Sequence, residues 1–175
     1  FLFNIFFFNF KSFISLGQMI WTVILPCIVC SNIFASWAYL YPENFKEHFS
    51  QNELIVYWFT SNLIILGLYL ILCVQAKINV TSLWLSLPCI VLGGFLIAYS
   101  YKKMGIKRTF FGVELGVIED DVKIESFPFN LGHVQYKGFI ILLLGLWLSC
   151  KHSHELTIVT GFWILSFMVQ MYIEC

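Results

Sequence analysis

Two long runs of the chain, residues 54–75 and 83–101, contain no acidic or basic residue and no histidine. About 20 apolar residues in a helix are enough to cross the hydrocarbon core of a bilayer. A backbone in lipid must also satisfy its own hydrogen bonds, which a helix does within one segment. Both runs therefore predict transmembrane α-helices.

Three further stretches are apolar enough to be candidate spans, namely residues 15–41, 131–150 and 155–173. Only 11% of the residues are charged, compared with about 25% in soluble domains. The sequence therefore predicts an all-α integral membrane protein, with residues 1–175 forming a single membrane domain. It would have four to five transmembrane helices, a polar loop over residues 102–137 and a C-terminal helical hairpin.

Basic residues indicate the orientation of the chain. The loop at 102–137 holds six of the ten lysines and arginines, and the positive-inside rule places such a loop on the cytoplasmic or matrix side. Counting crossings from there puts the connector at 42–53 and the C-terminal Glu174 on the same side. Residues 76–82 and 151–155 then lie on the opposite side.

Several functional classes are disfavoured. Ten basic and ten acidic residues cancel, so no net field attracts nucleic acid. His152 and His154 have no further ligands near them in sequence, so we expect no metal site. Residues 1–10 lack the basic region and the cleavage site of a signal peptide. A channel or transporter is disfavoured because 54–75 and 83–101 lack ionisable side chains.

The polar loop carries residues that suit a lipid headgroup. Lys107 and Arg108 either hold lipid phosphates or serve as interface cations. Glu114, between glycines and apolar residues, either binds an amine or acts as a base, or faces water at the interface. His133 is either a base or a hydrogen-bonding interface residue. The residues alone leave these alternatives open.

Three motifs in this region resemble one enzyme family. G-x-x-R-T-F-F-G-V-E-L-G at 105–116, F-P-F-N at 127–130 and Q-Y-x-G at 135–138 are similar to the phospholipid N-methyltransferases. These enzymes use S-adenosylmethionine to methylate phosphatidylethanolamine or its methylated forms, and are related to the isoprenylcysteine carboxyl methyltransferases. The resemblance is clearest from Leu92 to Gly145 and extends weakly to the C-terminus.

The resemblance implies where the cofactor would bind. In this family S-adenosylmethionine lies between a glycine motif on the helix before the loop and an acidic pair that ends the last helix. The corresponding residues here are Gly93, Gly94 and Glu174. We therefore expect these three residues to bind the cofactor.

The resemblance also implies roles on the lipid side of the site. Lys107 and Arg108 would meet the lipid phosphate. Glu114, His133 and Tyr136 would accept the amine proton or favour the developing ammonium. The expected partners are thus membrane phospholipids, in either the endoplasmic reticulum or the mitochondrial inner membrane.

The chain also departs from the family pattern. The first glycine of the cofactor motif is replaced by Val91, and the acidic pair is reduced to Glu174. The Asn-Pro or Asp-Pro before the family tyrosine is His133-Val134 here. These changes leave an alternative open, in which the fold is a catalytically silent accessory subunit that packs among other subunits of a larger membrane complex, for example a respiratory one.

Overall fold

The computed structural model describes residues 2–119, 128–129 and 132–174. Within these ranges the chain forms seven α-helices, one short 3-10 helix (Val80–Ser82) and no β-strand. The α-helices are α1 (Leu2–Leu40), α2 (Pro42–His48), α3 (Gln51–Ala76), α4 (Leu83–Met104), α5 (Ile106–Thr109), α6 (Val134–Leu148) and α7 (His154–Ile173).

Four segments are long and apolar enough to cross a membrane, namely Met19–Leu40, Gln51–Ala76, Val80–Met104 and His154–Ile173. Large apolar side chains project outward from them; Val74 and Trp84, for example, are 75% and 76% exposed. Such a surface is stable against lipid tails and would aggregate in water. The predicted all-α membrane fold is confirmed.

The fifth predicted crossing, residues 131–150, is shorter in the structure. Helix α6 has 15 residues, which span about 22 Å at about 1.5 Å per residue, less than the about 30 Å of a hydrocarbon core. It begins after His133, whose backbone is left-handed, and ends before Ser149. Its start nevertheless contacts Glu174 through Tyr136, and Cys150, just after its end, pairs with Ile78 on the opposite side of the bundle.

Helices α4 and α6 pack backbone to backbone. Buried small residues recur at seven-residue intervals on the facing sides, Ser86, Gly93 and Ser100 on α4 and Gly138 and Gly145 on α6. A Cβ added at Gly93 would lie 2.5 Å from a backbone nitrogen of α6. A seven-residue period keeps one helix face turned toward its partner, and small residues allow membrane helices to approach closely.

The main core lies between α1, α3, α6 and α7. Its fully or almost fully buried members include Ile24, Ile65, Leu143 and Val159. The hydroxyl groups of Tyr69 and Thr160 share a hydrogen bond of 2.7 Å within it. This bond joins α3 to α7 and satisfies two polar groups that would be costly to leave unpaired in lipid.

Two short connectors meet at one end of the bundle. Ile78 pairs with Cys150 in an isolated antiparallel bridge, and the N–H of Lys151 donates to the carbonyl of Lys77 at 2.8 Å. The connector between α3 and α4 therefore lies on the same side as the connector between α6 and α7. This agrees with the crossing count.

The other end of the bundle holds α2 and the first part of the polar loop. Gln51, the first residue of α3, donates through Nε2 to the carbonyls of Lys107 and Phe110 at 2.6 and 2.9 Å. Phe45 of α2 is fully buried and packs edge-on against Trp37 of α1. These contacts hold the start of the loop against α1 and α3, on the side where α7 ends.

Candidate functional site

The carboxylate of Glu174 is the centre of a polar cluster at the loop side of the protein. Its side chain follows α7 directly and is 13% exposed. The hydroxyl of Tyr136 donates to Oε1 of Glu174 at 2.6 Å, and Nε2 of Gln170 donates to the same oxygen at 2.9 Å. We call His133, Tyr136, Gln170 and Glu174 the Glu174 cluster.

Helix α1 fixes this cluster from the other side. The Ser36 hydroxyl donates to Oε1 of Gln170 at 3.0 Å, and the Tyr39 hydroxyl donates to the backbone carbonyl of Glu174 at 3.3 Å. Gln170 is only 2% exposed, and both ends of its amide are engaged. Its orientation is therefore fixed, with the N–H side turned to Glu174.

His133 immediately precedes α6 with φ 46° and ψ 41°, in the left-handed region. This conformation is uncommon for a residue with a side chain and costs about 1–3 kcal/mol. The ring stacks on Tyr136 with a centroid distance of 6.2 Å. Nδ1 lies 3.8 Å from Oε2 of Glu174, which is too long for a hydrogen bond but close enough for an electrostatic interaction. The strained backbone thus aims an imidazole at the carboxylate.

The surroundings of the cluster change the pKa values of Glu174 and His133. Burial raises the pKa of Glu174 above the ordinary 4.5; hydrogen bonds from Tyr136 and Gln170 oppose this rise, while the nearby charge of Glu114 adds to it. Burial, helped by the charge of Lys137, lowers the pKa of His133.

The carboxylate of Glu174 would by itself raise the pKa of His133. The two groups are 3.8 Å apart and share no hydrogen bond, so their attraction is weaker than the effect of burial on the imidazole. The net result is a lowered pKa for His133. His133 is therefore mainly a neutral imidazole at neutral pH. Glu174 holds its proton to a higher pH than an exposed carboxyl group does.

The structure brings four of the predicted site residues together. His133, Tyr136 and Glu174 are in direct contact. Glu114 lies on an exposed turn after α5, near enough for its charge to act on Glu174. These residues come from α5–α6 and from the end of α7, so only folding makes them neighbours.

The two predicted phosphate-binding residues lie apart from the cluster in the chain but on the same membrane side. Lys107 and Arg108 are on α5, which is tied to the start of α3 through the carbonyl of Lys107. The Lys107 side chain is exposed and that of Arg108 is partly buried. Both can therefore meet groups at the membrane surface.

The two predicted cofactor glycines have different surroundings. At Gly93 an added Cβ would lie 2.5 Å from the nitrogen of Leu142 and 2.7 Å from the oxygen of Gly138, so α6 fills the space that this glycine leaves. At Gly94 a Cβ would meet nothing within 4 Å. The carboxylate of Glu174 suits the hydroxyl or ammonium groups of S-adenosylmethionine. The residues thus fit this cofactor at Glu174 and do not fit it at Gly93.

An apolar groove of about 540 Å³ runs between α1 and α7. This volume lies in the range of small-molecule sites. Ser36 and Gln170 line the groove together with apolar side chains such as Ile33 and Ile173. Since Gln170 also donates to Glu174, its amide connects the groove to the Glu174 cluster.

A much smaller cavity touches the other side of the cluster. It has a volume of about 10 Å³ and is lined by Tyr136, Gln170 and Phe167, among others. A cavity of this size holds about one water molecule. Phe167, which lines this cavity, stacks on Phe139 with a centroid distance of 5.2 Å.

Sequence reasoning missed Gln170, Ser36 and Tyr39. A signal for Gln170 was present, since an amide within an apolar helix is unfavourable in lipid unless it has a partner. It also precedes Glu174 by four residues, which places both on one helix face. Nothing local marks Ser36 or Tyr39, because their roles depend on how α1 is rotated against α7.

Some predicted features lie outside the described residues. These include Phe127 and Asn130 of the family motifs, Lys123 of the basic loop, and the first residue of the predicted span at 131–150. Within residues 2–119, 128–129 and 132–174, no three His, Cys, Asp or Glu side chains are grouped so that they could hold a metal ion.

Comparison of the chain with protein-family models, with curated proteins and with solved structures finds no match.

Proposed function

We propose that this chain is a phospholipid N-methyltransferase-like membrane protein that methylates the amine of phosphatidylethanolamine or its methylated forms. The observation that carries this proposal is the contact of Tyr136 and His133 with Glu174 at one membrane side, where the charge of Glu114 also acts on Glu174. Glu114 and Tyr136 belong to the quoted motifs, Glu174 to the place of the family's acidic pair, and His133 was a candidate base; the last three are in direct contact.

The chemistry of the cluster suits an amine headgroup. An alkylammonium group must lose a proton before its nitrogen can attack, and a neutral imidazole such as that of His133 can accept this proton. Glu114 and Glu174 attract the cationic headgroup and stabilise the positive charge that develops on nitrogen. Tyr136 holds the Glu174 carboxylate in place. S-adenosylmethionine would supply the methyl group.

The groove between α1 and α7 provides a route for the lipid. Its walls are apolar and suit acyl chains, while Gln170 of the Glu174 cluster and its partner Ser36 also line the groove. A lipid in this groove would bring its headgroup to the loop side. Lys107 and Arg108 are positioned on that side to attract the phosphate.

A second candidate function is supported by the surroundings of Gly93. Because α6 fills the space beside this glycine, the cofactor contact that the family makes there is absent from the observed arrangement. Wide apolar faces are also exposed, as at Trp84 and Val91, 76% and 69% exposed. Both features suit a catalytically silent accessory subunit that packs among other subunits of a larger membrane assembly.

The proposed location follows from the charge bias. With the basic loop at 102–137 on the cytoplasmic or matrix side, the Glu174 cluster faces the compartment that contains S-adenosylmethionine. Either the endoplasmic reticulum or the mitochondrial inner membrane satisfies this condition. The two connectors at 77–82 and 149–153 would then face the opposite compartment.

Binding of labelled S-adenosylmethionine to membranes that contain the protein distinguishes the two functions. The methyltransferase proposal expects saturable binding that weakens by about tenfold to over a hundredfold in Glu174→Gln, because a charge-assisted hydrogen bond is worth about 1.5–3 kcal/mol. Glu155→Gln, at the opposite end of α7, is the matched control and should bind normally.

Methyl transfer to phosphatidylethanolamine vesicles is then measured with the same variants. Saturable binding with methyl transfer supports the enzyme. Absence of saturable binding by the folded wild-type protein refutes it. In that case the accessory function predicts that the protein, extracted in mild detergent, migrates with other membrane subunits in one complex.

A further inference from the structure

A narrow slot of about 220 Å³ lies between α3, α4 and α6, in the half of the bundle nearest the basic loop. Helices α3 and α4 are consecutive in the chain but make little contact with each other, so a gap remains between them. Phe59 and Leu63 line this gap and are 41% and 71% exposed, which indicates that it opens sideways to the lipid. The slot shares no lining residue with the groove between α1 and α7.

The walls of the slot suit a hydrocarbon chain. Its lining on α3 runs from Trp58 to Leu66, a length of about 12 Å at about 1.5 Å per residue. The polar side chains of Asn62 and Tyr101 also line it, and both have partners. Nδ2 of Asn62 donates to the carbonyl of Trp58 at 2.9 Å, and the hydroxyl of Tyr101 accepts from Nε2 of Gln135 at 2.8 Å. An apolar occupant therefore does not deprive these groups of their hydrogen bonds.

Aromatic rings close the slot toward the loop. Phe110 packs on three rings of the lining with centroid distances of 4.9, 5.4 and 6.3 Å, those of Trp58, Phe59 and Tyr101. Gln51, at the start of α3, holds the backbone of Phe110 by donating to its carbonyl at 2.9 Å. Aromatic residues are typical of the level of the lipid headgroups, so the headgroup of a lipid in the slot lies just beyond Phe110.

Two exposed cations flank this headgroup position. Lys102 follows Tyr101 on α4, and Lys107 lies on α5, where its carbonyl accepts from Nε2 of Gln51 at 2.6 Å. Basic side chains at this level attract anionic lipids. An apolar slot that ends beside cations is complementary to an anionic phospholipid, whereas an apolar helix of a partner protein would leave the cations unused.

We propose that the slot binds one acyl chain of an anionic phospholipid whose phosphate is held by Lys102 and Lys107. The chain fills the gap between α3 and α4, and the headgroup lies above Phe110. Lys107 then serves this lipid, and Arg108 remains for the substrate phosphate of the proposed reaction. The site does not otherwise depend on that reaction.

Photo-crosslinking tests the site. The full-length protein is reconstituted in phosphatidylcholine vesicles that contain a small fraction of phosphatidylglycerol with a diazirine in one acyl chain. After illumination and digestion, mass spectrometry should find the lipid on peptides that contain residues 58–66 and 139–143, and excess unlabelled phosphatidylglycerol should prevent this labelling. Diazirine-labelled phosphatidylcholine should label the same peptides several-fold less. Equal labelling by both lipids, or absence of label from these peptides, would overturn the proposal.

Matched variants in the wall of the slot make the test specific. Leu63→Trp places a larger side chain in the slot and should lower the labelling of residues 139–143 several-fold. Ile64→Trp, at the same depth on α3 but outside the lining, should leave the labelling unchanged. Equal labelling in the two variants would contradict the site.

The cations are tested in the same assay. In Lys102→Gln/Lys107→Gln, the phosphatidylglycerol concentration that gives half-maximal labelling should rise by about thirtyfold. Lys77→Gln/Lys151→Gln, at the other end of the bundle, is the matched control and should leave it unchanged; an equal rise in both would show a nonspecific effect of charge and refute the site. Phosphatidylglycerol has no amine, so its binding is measured independently of any methyl transfer.

Discussion

Replacing Tyr136 by phenylalanine removes the hydroxyl that donates to Oε1 of Glu174 at 2.6 Å and leaves the ring in place. A hydrogen bond to a charged acceptor contributes about 1.5–3 kcal/mol. Its loss destabilises the ionised form of Glu174, so the ratio of protonated to ionised carboxyl should rise by about tenfold to over a hundredfold at a given pH. The bond from Gln170 at 2.9 Å remains.

A hydrophobic carbodiimide measures this change, because it reacts with protonated carboxyl groups within the membrane. The labelling rate of the peptide that carries Glu174 is followed by mass spectrometry as a function of pH. In Tyr136→Phe the decline of labelling with rising pH should move to clearly higher pH than in the wild type.

Tyr172→Phe is the matched control for this experiment. Tyr172 is on the same turn as Glu174 but is 84% exposed, so its loss should leave the labelling profile unchanged. If the profile of Tyr136→Phe coincides with that of the wild type, the hydroxyl of Tyr136 does not stabilise the carboxylate and the description of the cluster is wrong. An equal displacement in both variants would lead to the same conclusion.

Three further predictions concern stability. Gly93→Ala should destabilise the bundle by about 1–3 kcal/mol or more, because the new Cβ would overlap the backbone of α6. Gly94→Ala, with open space around it, should be neutral or stabilising in the same thermal unfolding assay in detergent. Glu174 holds its proton more strongly when folded than when unfolded, so the unfolding temperature should fall as pH rises from 4.5 through the raised pKa. Glu174→Gln should abolish that dependence; a parallel profile would exclude Glu174 as its source. His133→Gly should raise the free energy of unfolding by about 1 kcal/mol through relief of the left-handed backbone; a loss of stability would show that the ring contributes more than the strain costs.

The sequence alone determined that the chain is a helical membrane protein and which segments cross the membrane. Apolar runs predicted spans at 54–75, 83–101 and 155–173, and the observed helices extend from 51 to 76, 83 to 104 and 154 to 173. The physical reason is local: an apolar run of this length must be helical in lipid, since no water satisfies its backbone. Counting the crossings was then enough to predict that Glu174 lies on the same side as the polar loop.

The motifs also carried information about the site. Three residues quoted for their resemblance to a methyltransferase family, or for their place at the end of the last helix, proved to be neighbours. His133 and Tyr136 are close in sequence, so their proximity was local. Their contact with Glu174 required only that α6 and α7 form an antiparallel hairpin, which the short connector between them predicted.

Tertiary structure alone decided which residues face one another across the bundle. Helices α3 and α6 are apolar on nearly all sides, so no amphipathic pattern fixes their rotation. The seven-residue spacing of Ser86, Gly93 and Ser100 was visible, yet only the structure shows that Gly93 faces the backbone of α6.

The same reason explains the contacts that sequence reasoning did not find. The amide of Gln170 lies between Ser36 and Glu174, and the hydroxyl of Tyr69 meets that of Thr160, because of the rotation and the axial position of each helix. These two quantities are set by close packing between whole helices, with no single residue encoding them. The sequence therefore determined what crosses the membrane and where, and packing determined which side chains meet inside it.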